Sequence, residues 1–417
     1  MSATRVAVLG IGRVGLPLAL YMTDRGRDVV GIDVDPARVA TVGQGRMPFL
    51  EEGAQEVLER VLGTRFRATL EESAVADAEV IILTLGTPVD EHLNPAFREI
   101  EDVLDKVRPH LRPGQLFVLR STVMPGTTEY VKRRLEATTD LRVGVDLFLA
   151  FCPERIAQGH SFKELPEIPQ IVGSLDPGSG ERARAFFEGL TGPVLLSDAR
   201  SAEIAKLFCN VYRYVDFAIG NEFMMLAEQQ ERDIYEIHRL VNEGYRRGGL
   251  KTPGFTGGPC LYKDGFFLLE GTPFPDLLTT AWKINESVPG YLITGARQRL
   301  GTLEDKTALI LGLSFKKEID DSRNSLAYKA IKILERHGAE VLRHDPYLAP
   351  GELEPLLARA DLVLVATDHQ AYRDLGLDGL RAATGDPLVV DVWNVFATAQ
   401  VYFRPSEARG PSDDRRP

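Results

Sequence analysis

Cysteine is scarce in this sequence, with three residues (Cys152, Cys209 and Cys260) among 417. That is too few, and too scattered, for a disulfide framework or for a zinc site of about four clustered ligands, which leaves buried thiols or a nucleophile. Excess positive charge is missing too. The formal net charge of -11 repels nucleic acid and anionic lipid as a whole, so any anionic ligand must be held by local donors in loops and at helix ends. No run approaches the roughly 18 consecutive apolar residues of a membrane span, and the chain opens on a strand instead of a charged segment followed by an apolar one. A cytoplasmic protein without a membrane or nucleic-acid partner is expected. The 44% hydrophobic share over this length is enough for two or three cores, which excludes a disordered or fibrous chain.

From Arg5 to about Ser197, short apolar runs (Val6 to Leu9, Val29 to Ile32, Val80 to Leu85, Leu116 to Leu119, Val143 to Ala150, Ile171 to Val172, Val194 to Leu196) alternate with longer amphipathic stretches. Such alternation predicts βαβ units and a mostly parallel sheet covered on both faces. Between Ser201 and about Arg232 the period becomes helical: Ile204, Leu207, Phe208, Val211, Val215, Ala218 and Ile219 form one stripe, long enough to be shared with neighbouring helices and a second subunit. After Lys306 the βα alternation returns, in Thr307 to Leu313, a helix from Ser325 to His337, Glu340 to His344, Asp361 to Thr367 and Leu388 to Val392. The fold class expected is therefore α/β, with two Rossmann-like doubly wound parallel sheets joined by a long central helix. The domain division is 1–197, 198–300 and 301–417. The tail after Arg404 is Pro, Gly and charge, too polar to bury, and disorder is expected there.

The first strand runs into Gly10-Ile11-Gly12-Arg13-Val14-Gly15. Gly10 permits the tight turn, Gly12 lets the backbone approach a pyrophosphate and Gly15 allows close helix packing, with Arg13 and Val14 on the same turn at the helix N-terminus. The next strand ends in Asp33, placed to accept from the adenosine ribose hydroxyls and to repel a 2′-phosphate, which favours NAD over NADP. Thr87 and Pro88, and Ser121 and Thr122, follow the strands at 80 and 116, where ligands of such sheets sit. They can touch the nicotinamide half or the substrate, although Ser and Thr at strand ends also serve as caps.

Gly254-Phe255-Thr256-Gly257-Gly258-Pro259-Cys260-Leu261-Tyr262-Lys263-Asp264 delivers a cysteine to the start of an apolar run, Phe266 to Glu270, expected to be helical. A thiol at a helix N-terminus beside lysines has its thiolate favoured, as a nucleophile requires. Cys209, inside the long helix, and Cys152 suit buried hydrophobes better. Lys206 and Asn210 lie one turn apart and, by spacing, off the apolar stripe, so both can point at one site, although by spacing alone Lys206 reads as a solvated surface charge. In Phe151-Cys152-Pro153-Glu154-Arg155, Glu154 falls at a sheet edge where it can act as a base, or simply as a cap or salt-bridge partner.

These residues together resemble the UDP-glucose/GDP-mannose dehydrogenase family, over nearly the whole chain from the glycine turn to Phe315-Lys316-Lys317 and Asp320-Asp321-Ser322-Arg323. The resemblance implies two Rossmann-like domains, one for NAD and one for the nucleotide sugar, flanking a helix that makes a homodimer. It implies Cys260 as nucleophile, with Lys206, Asn210, Glu154, Thr122 and Asp264 as its catalytic companions. Lys263 and Arg323 are then expected near the cofactor. Arg155, Ile156, Phe255, Gly257, Phe315 and Lys316 are expected near a UDP-sugar substrate, and one of Arg246 and Arg247 near a neighbouring subunit's substrate.

Two departures bear on the sugar. UDP-glucose members carry Pro-Glu-Phe-Leu and a second Glu four residues after the first; this chain has Pro153-Glu154-Arg155 and Gln158. Pro-Glu-Arg is closer to the UDP-N-acetylhexosamine branch, which however has Gly-Gly-His-Cys and Val-Asp-Pro where Gly-Pro-Cys and Lys-Asp stand here. The expected reaction is a four-electron oxidation of the C6 alcohol to a uronic acid through a Cys260 thioester, with UDP-glucose first and a UDP-N-acetylhexosamine next. The competing readings are a single-step NAD-dependent hydroxy-acid dehydrogenase, which needs no cysteine loop, and a silent NAD or UDP-sugar sensor.

Overall fold

The computed structural model describes residues 3–86, 98–268, 275–383 and 385–408. Thr87 and Pro88 lie outside the described residues, as do 269–274 of the run after Cys260. The chain divides into two compact units, with the main division between Cys209 and Asn210, inside the long helix, and the segment from Phe266 grouped with the first. Three segments were expected.

The first unit holds an eight-stranded sheet: β1 (Arg5–Leu9), β2 (Asp28–Ile32), β3 (Phe66–Thr69), β4 (Val80–Leu83), β5 (Leu116–Leu119), β6 (Phe148–Phe151), β7 (Gln170–Ser174) and β8 (Val194–Asp198), in the order β3-β2-β1-β4-β5-β6-β7-β8. Every neighbouring pair is parallel except β6–β7. The runs VIIL, LFVL and FLAF are buried at every position because helices cover both faces of the sheet. One core takes Val6, Val8, Val80, Ile82, Leu116 and Val118; the other takes the alternate residues Ala7, Leu9, Ile81, Leu83, Phe117 and Leu119. The expected strand from Val143 starts instead at Phe148: Gly144 has φ 88° and Val145 is exposed, so 143–147 form a turn. β3 was not foreseen, as Phe-Arg-Ala-Thr carries one large apolar residue and only edges the sheet.

The second unit holds β9 (Thr307–Leu311), β10 (Glu340–His344), β11 (Leu362–Val365), β12 (Leu388–Asp391) and β13 (Tyr402–Phe403), ordered β10-β9-β11-β12-β13, with only the last pair antiparallel. The helix expected from Ser325 runs Leu326–Arg336, with the Ser325 hydroxyl capping the Ala327 N–H. Helix Asp276–Leu300 buries Val288, Leu292, Ile293 and Ala296 in one core with Ala327, Ile331 and Leu334 and with Met224 and Ala227 of the long helix. The helices of the middle segment thus share a core with the second sheet's helix. Past Arg404 the chain stays packed through Ala408, whose carbonyl accepts from Arg381; residues 409–417 lie outside the described residues.

The long helix spans Ala199–Gln229. Its buried face is Ala202, Glu203, Lys206, Leu207, Asn210, Tyr214, Ala218, Asn221 and Met224, while Phe208, Tyr212, Ile219, Phe223 and Leu226 are exposed. The single apolar stripe expected is thus split, and Lys206 and Asn210 belong to the buried face. Burial here follows what each turn packs against, which side-chain polarity alone did not reveal.

Candidate active site

The glycine turn has the shape its spacing requires. Gly10 has φ 91° and donates to the Ile32 carbonyl at 2.7 Å; a Cβ on Gly15 would lie 1.8 Å from the Gly10 carbonyl oxygen, whereas one on Gly12 would meet nothing within 4 Å. The backbone at Gly12 is therefore open to a phosphate, and the helix Gly15–Asp24 begins beside it. Arg13 stacks over Phe49 at 5.0 Å, and Val14 is exposed. Asp33 is buried with Oδ2 accepting from the Ile11 N–H (2.9 Å) and from Arg38 (2.8 Å), and Oδ1 from the Asp35 N–H (3.0 Å). Glycines that leave one open backbone patch, together with a fixed carboxylate at the second strand's end, fit an adenine dinucleotide. Arg38 was missed in the sequence; its place one turn into a helix capped by Asp35 was the available signal.

At the carboxyl ends of β5 and β6 the same unit collects a second group. Ser121 Oγ donates to the Leu85 carbonyl at 2.7 Å, and Thr122 follows it, half-buried. Glu154 is held by Arg120, whose Nε and Nη2 both donate to Oε2 (2.9 and 2.5 Å), and by the N–H groups of Arg155 and Ile156 on Oε1 (2.7 and 2.8 Å). Arg120 and Glu203 were not singled out from the sequence. Glu203, on the long helix, accepts from the N–H of Gly126 (2.6 Å) and from the N–H and hydroxyl of Thr128 (2.8 and 2.6 Å), which ties the Ser-Thr loop to the turn before Lys206. Burial pushes its carboxyl up against those bonds. Lys206 itself is buried.

In the second unit Cys260 is exposed and heads a single helical turn, Leu261–Asp264. The loop before it is wedged in place. A Cβ on Gly254 would meet Trp393 at 2.3 Å, on Gly257 the Asn324 carbonyl at 2.5 Å, and on Gly258 the Phe315 ring at 2.6 Å. Phe255 and Gly257 are buried, while Phe315 and Lys316 are half-buried. Asp264 is fully buried, with Asn210 Nδ2 on Oδ2 at 2.6 Å and Lys263 Nζ on Oδ1 at 3.2 Å. Arg323 forks onto Asp321 (2.9 and 2.7 Å), which pushes its pKa above the ordinary arginine value, and Cys260 lies within electrostatic reach and adds to that shift. Asn221 accepts from Gly254 N–H (2.8 Å) and donates to Asn285 (2.9 Å), fastening the loop to the long helix. Arg246 and Arg247 are exposed, Arg247 over Tyr245.

The other two thiols differ from Cys260. Cys152 is wholly buried and burial pushes its thiol up to about 12; Cys209 is partly buried within the helix. Among the described residues there is no cluster able to hold a metal ion, and no helix is long and apolar enough to cross a membrane.

Comparison with known proteins agrees with this geometry. Residues 4–191 match the NAD binding domain of the UDP-glucose/GDP-mannose dehydrogenase family, 200–287 its central domain and 309–398 its UDP binding domain. A UDP-N-acetyl-D-mannosamine dehydrogenase of Pyrococcus horikoshii is 32% identical over 96% of this chain and 97% of its own. An NDP-N-acetyl-D-galactosaminuronic acid dehydrogenase of Ralstonia solanacearum is 30% identical over 90% and 93%. Among solved structures, the UDP-D-ManNAc dehydrogenase of Pyrococcus horikoshii superposes with a TM-score of 0.86 over 92% of this chain and 93% of that one, at 32% identity. A UDP-glucose dehydrogenase of Pyrobaculum islandicum gives 0.84 over 93% and 94%, at 27% identity. The chain belongs to the UDP-glucose/GDP-mannose dehydrogenase family and is an NAD-dependent UDP-sugar dehydrogenase.

Proposed function

We propose that this enzyme oxidises the C6 alcohol of a UDP-N-acetylhexosamine to the uronic acid, in two successive two-electron steps, through a thioester on Cys260. The observation that carries the reading is the contrast among the thiols: Cys260 is exposed on a wedged glycine loop, while Cys152 is sealed in a core. Pro153-Glu154-Arg155 with Gln158, and the N-acetyl sugars in the names of two relatives, support placing an acetamido sugar ahead of UDP-glucose.

NAD, held by Gly10, Gly12, Gly15 and Asp33, supplies the hydride acceptor for both oxidations. Asp264, oriented by Asn210 and Lys263, assists deprotonation of the C6 hydroxyl, and Cys260 captures the aldehyde as a thiohemiacetal so that it is not released. Lys206 and Asn210 stabilise the developing oxyanions, Lys206 as the charged donor. Glu154, with Thr122, orients the water that cleaves the thioester and relays its proton. Arg155, Ile156, Phe255, Gly257, Phe315 and Lys316 hold the UDP-sugar, Lys263 and Arg323 face the cofactor, and the protein works as a homodimer on the exposed face of the long helix, with Arg246 or Arg247 serving the neighbouring subunit's substrate.

NADH production across a panel of UDP- and GDP-sugars tests this. Two NADH per UDP-N-acetylhexosamine are expected. One NADH per substrate would favour the hydroxy-acid reading, binding without turnover would favour a sensor, and a marked preference for UDP-glucose would overturn the acetamido assignment.

A further inference from the structure

We infer that Arg120 is the positioning residue for Glu154, so that thioester hydrolysis, and not the preceding oxidations, depends on this buried arginine; the inference rests on the proposed role of Glu154. Arg120 ends an all-apolar strand and is 1% exposed, the largest fully buried side chain of the described protein. Burying a guanidinium costs several kcal/mol unless it is paired and its N–H groups are satisfied. Here they are: beyond the two bonds to Glu154 Oε2, Nη1 donates to the Cys152 carbonyl at 3.2 Å and to Gln170 Oε1 at 2.9 Å. Gln170 is itself buried and fixed, donating to the carbonyls of Pro153 (3.3 Å) and Ile171 (2.8 Å). The strand supplying Arg120 is the one that leads into Thr122, and its neighbour β6 leads into Glu154, whose N–H donates to the Arg120 carbonyl at 3.2 Å.

Arg120 is a direct cationic partner of Glu154. The guanidinium of Arg155 turns away to the Pro169 carbonyl, and Glu164 is taken up by the Ala157 N–H. Burial pushes the Cys152 thiol up despite the opposing pull of the same buried arginine. Two guanidinium donors on one oxygen and two consecutive amides on the other fix the carboxylate in one orientation, which removes reorganisation from the step it serves. A purely architectural ion pair is usually replaceable by well-packed apolar residues. This one lies at the carboxyl ends of adjacent parallel strands, where doubly wound sheets bind ligands.

In the step concerned, the water oxygen bonds to the thioester carbonyl carbon and the C–S bond breaks. The sulfur of Cys260 leaves with the bonding pair as thiolate, and the water proton passes by way of Glu154 to solvent. No electrons are transferred to or from the cofactor.

The test compares Arg120→Met, Arg120→Lys and Glu154→Gln with the wild-type enzyme, using the UDP-sugar turned over fastest in the panel, rapid-mixing NADH absorbance and intact-protein mass spectrometry. Arg120→Met should release two NADH per site in a burst, then turn over about a hundredfold slower, with an acyl adduct on Cys260 and a KM that falls with kcat, so that kcat/KM changes less than about twofold. Arg120→Lys, which keeps the charge but cannot span Glu154, Gln170 and the Cys152 carbonyl, should lie between. If Arg120→Met does not fold, a folded Arg120→Lys without adduct and with wild-type turnover overturns the inference. So does an Arg120→Met enzyme that loses both oxidations in proportion. Absence of adduct in Glu154→Gln refutes the role of Glu154 itself, whereas adduct in Glu154→Gln but not in the folded Arg120 variants refutes only the role of Arg120.

Discussion

Asp33 and Asp345 close the second strand of their respective sheets in the same way. Each takes on Oδ2 the N–H of the residue after the turn glycine, Ile11 at 2.9 Å and Leu313 at 2.7 Å, and on Oδ1 the N–H two residues further on, Asp35 and Tyr347. The turn glycines match as well, Gly10 at φ 91° and Gly312 at φ 92°. The likeness stops at the remaining donors. Asp33 takes Arg38, while the fully buried Asp345 takes Ser314 N–H, Leu348 N–H and the ring of His369. One acid keeps a surface arginine as its partner; the other is sealed in a core.

Asp345 should therefore act through stability. Burial would raise its carboxyl, but the bond from His369 and the amides of Leu313, Tyr347 and Leu348 outweigh it and hold the group well below its ordinary value of 3.8. A depressed carboxylate contributes stability above the ordinary value, lost as pH falls through the folded one. Asp345→Asn should cost about 3 kcal/mol at neutral pH and flatten the acid side of the stability profile, as measured by denaturant titration from pH 7 downwards. An unchanged acid slope in Asp345→Asn would show that another carboxylate dominates it.

Asp33 should act through cofactor choice. Its charge excludes a 2′-phosphate and engages Arg38, so the native enzyme should prefer NAD. In Asp33→Asn the exclusion is removed and the guanidinium remains, so the kcat/KM ratio of NAD to NADP should fall by about tenfold or more, an interaction change of roughly 1.4 kcal/mol. Equal use of both cofactors by the unaltered enzyme would sink the role given to Asp33.

For the thiols the expected outcomes are opposite. Cys260→Ser should bind NAD and UDP-sugar normally, yet lose at least about a thousandfold in turnover, since a serine alkoxide is far harder to form near neutral pH. Cys152→Ala should keep its rate and lose only stability, about 1 to 2 kcal/mol for a buried side chain. Adduct mapping by mass spectrometry separates them, and an acyl group on Cys152 would mean the wrong nucleophile was chosen.

The exposed row of Phe208, Tyr212, Ile219, Phe223 and Leu226 should be covered in solution. Light scattering at micromolar concentration should give at least a dimer, and Phe208→Glu with Phe223→Lys should shift it towards monomer. A monomeric wild-type protein would contradict this.

The strand ends were legible because a doubly wound sheet writes them plainly. An all-apolar run such as Val80–Leu83 or Leu116–Leu119 must be buried on both faces, and a Gly or polar residue after it marks the ligand-bearing edge. Arg120 was not legible as a partner of Glu154. Nothing in their 34-residue separation says that β5 and β6 lie side by side. The long helix misled for a related reason: polarity placed Lys206 and Asn210 outside its stripe, but Asp264 stands 54 residues from Asn210 and makes a buried amide tolerable.

By itself, then, the order of residues determined the two βα alternations, the glycine turn with its acid, and a cysteine carried on a glycine-rich loop, because each depends on local periodicity and on backbone conformations open only to glycine. Which faces of the long helix are buried, which carboxylates are gripped and by whom, and which of two look-alike acids is sealed in a core were decided only in the tertiary structure. These depend on pairings between distant segments, and the desolvation that makes such pairings matter arises only once the chain has folded.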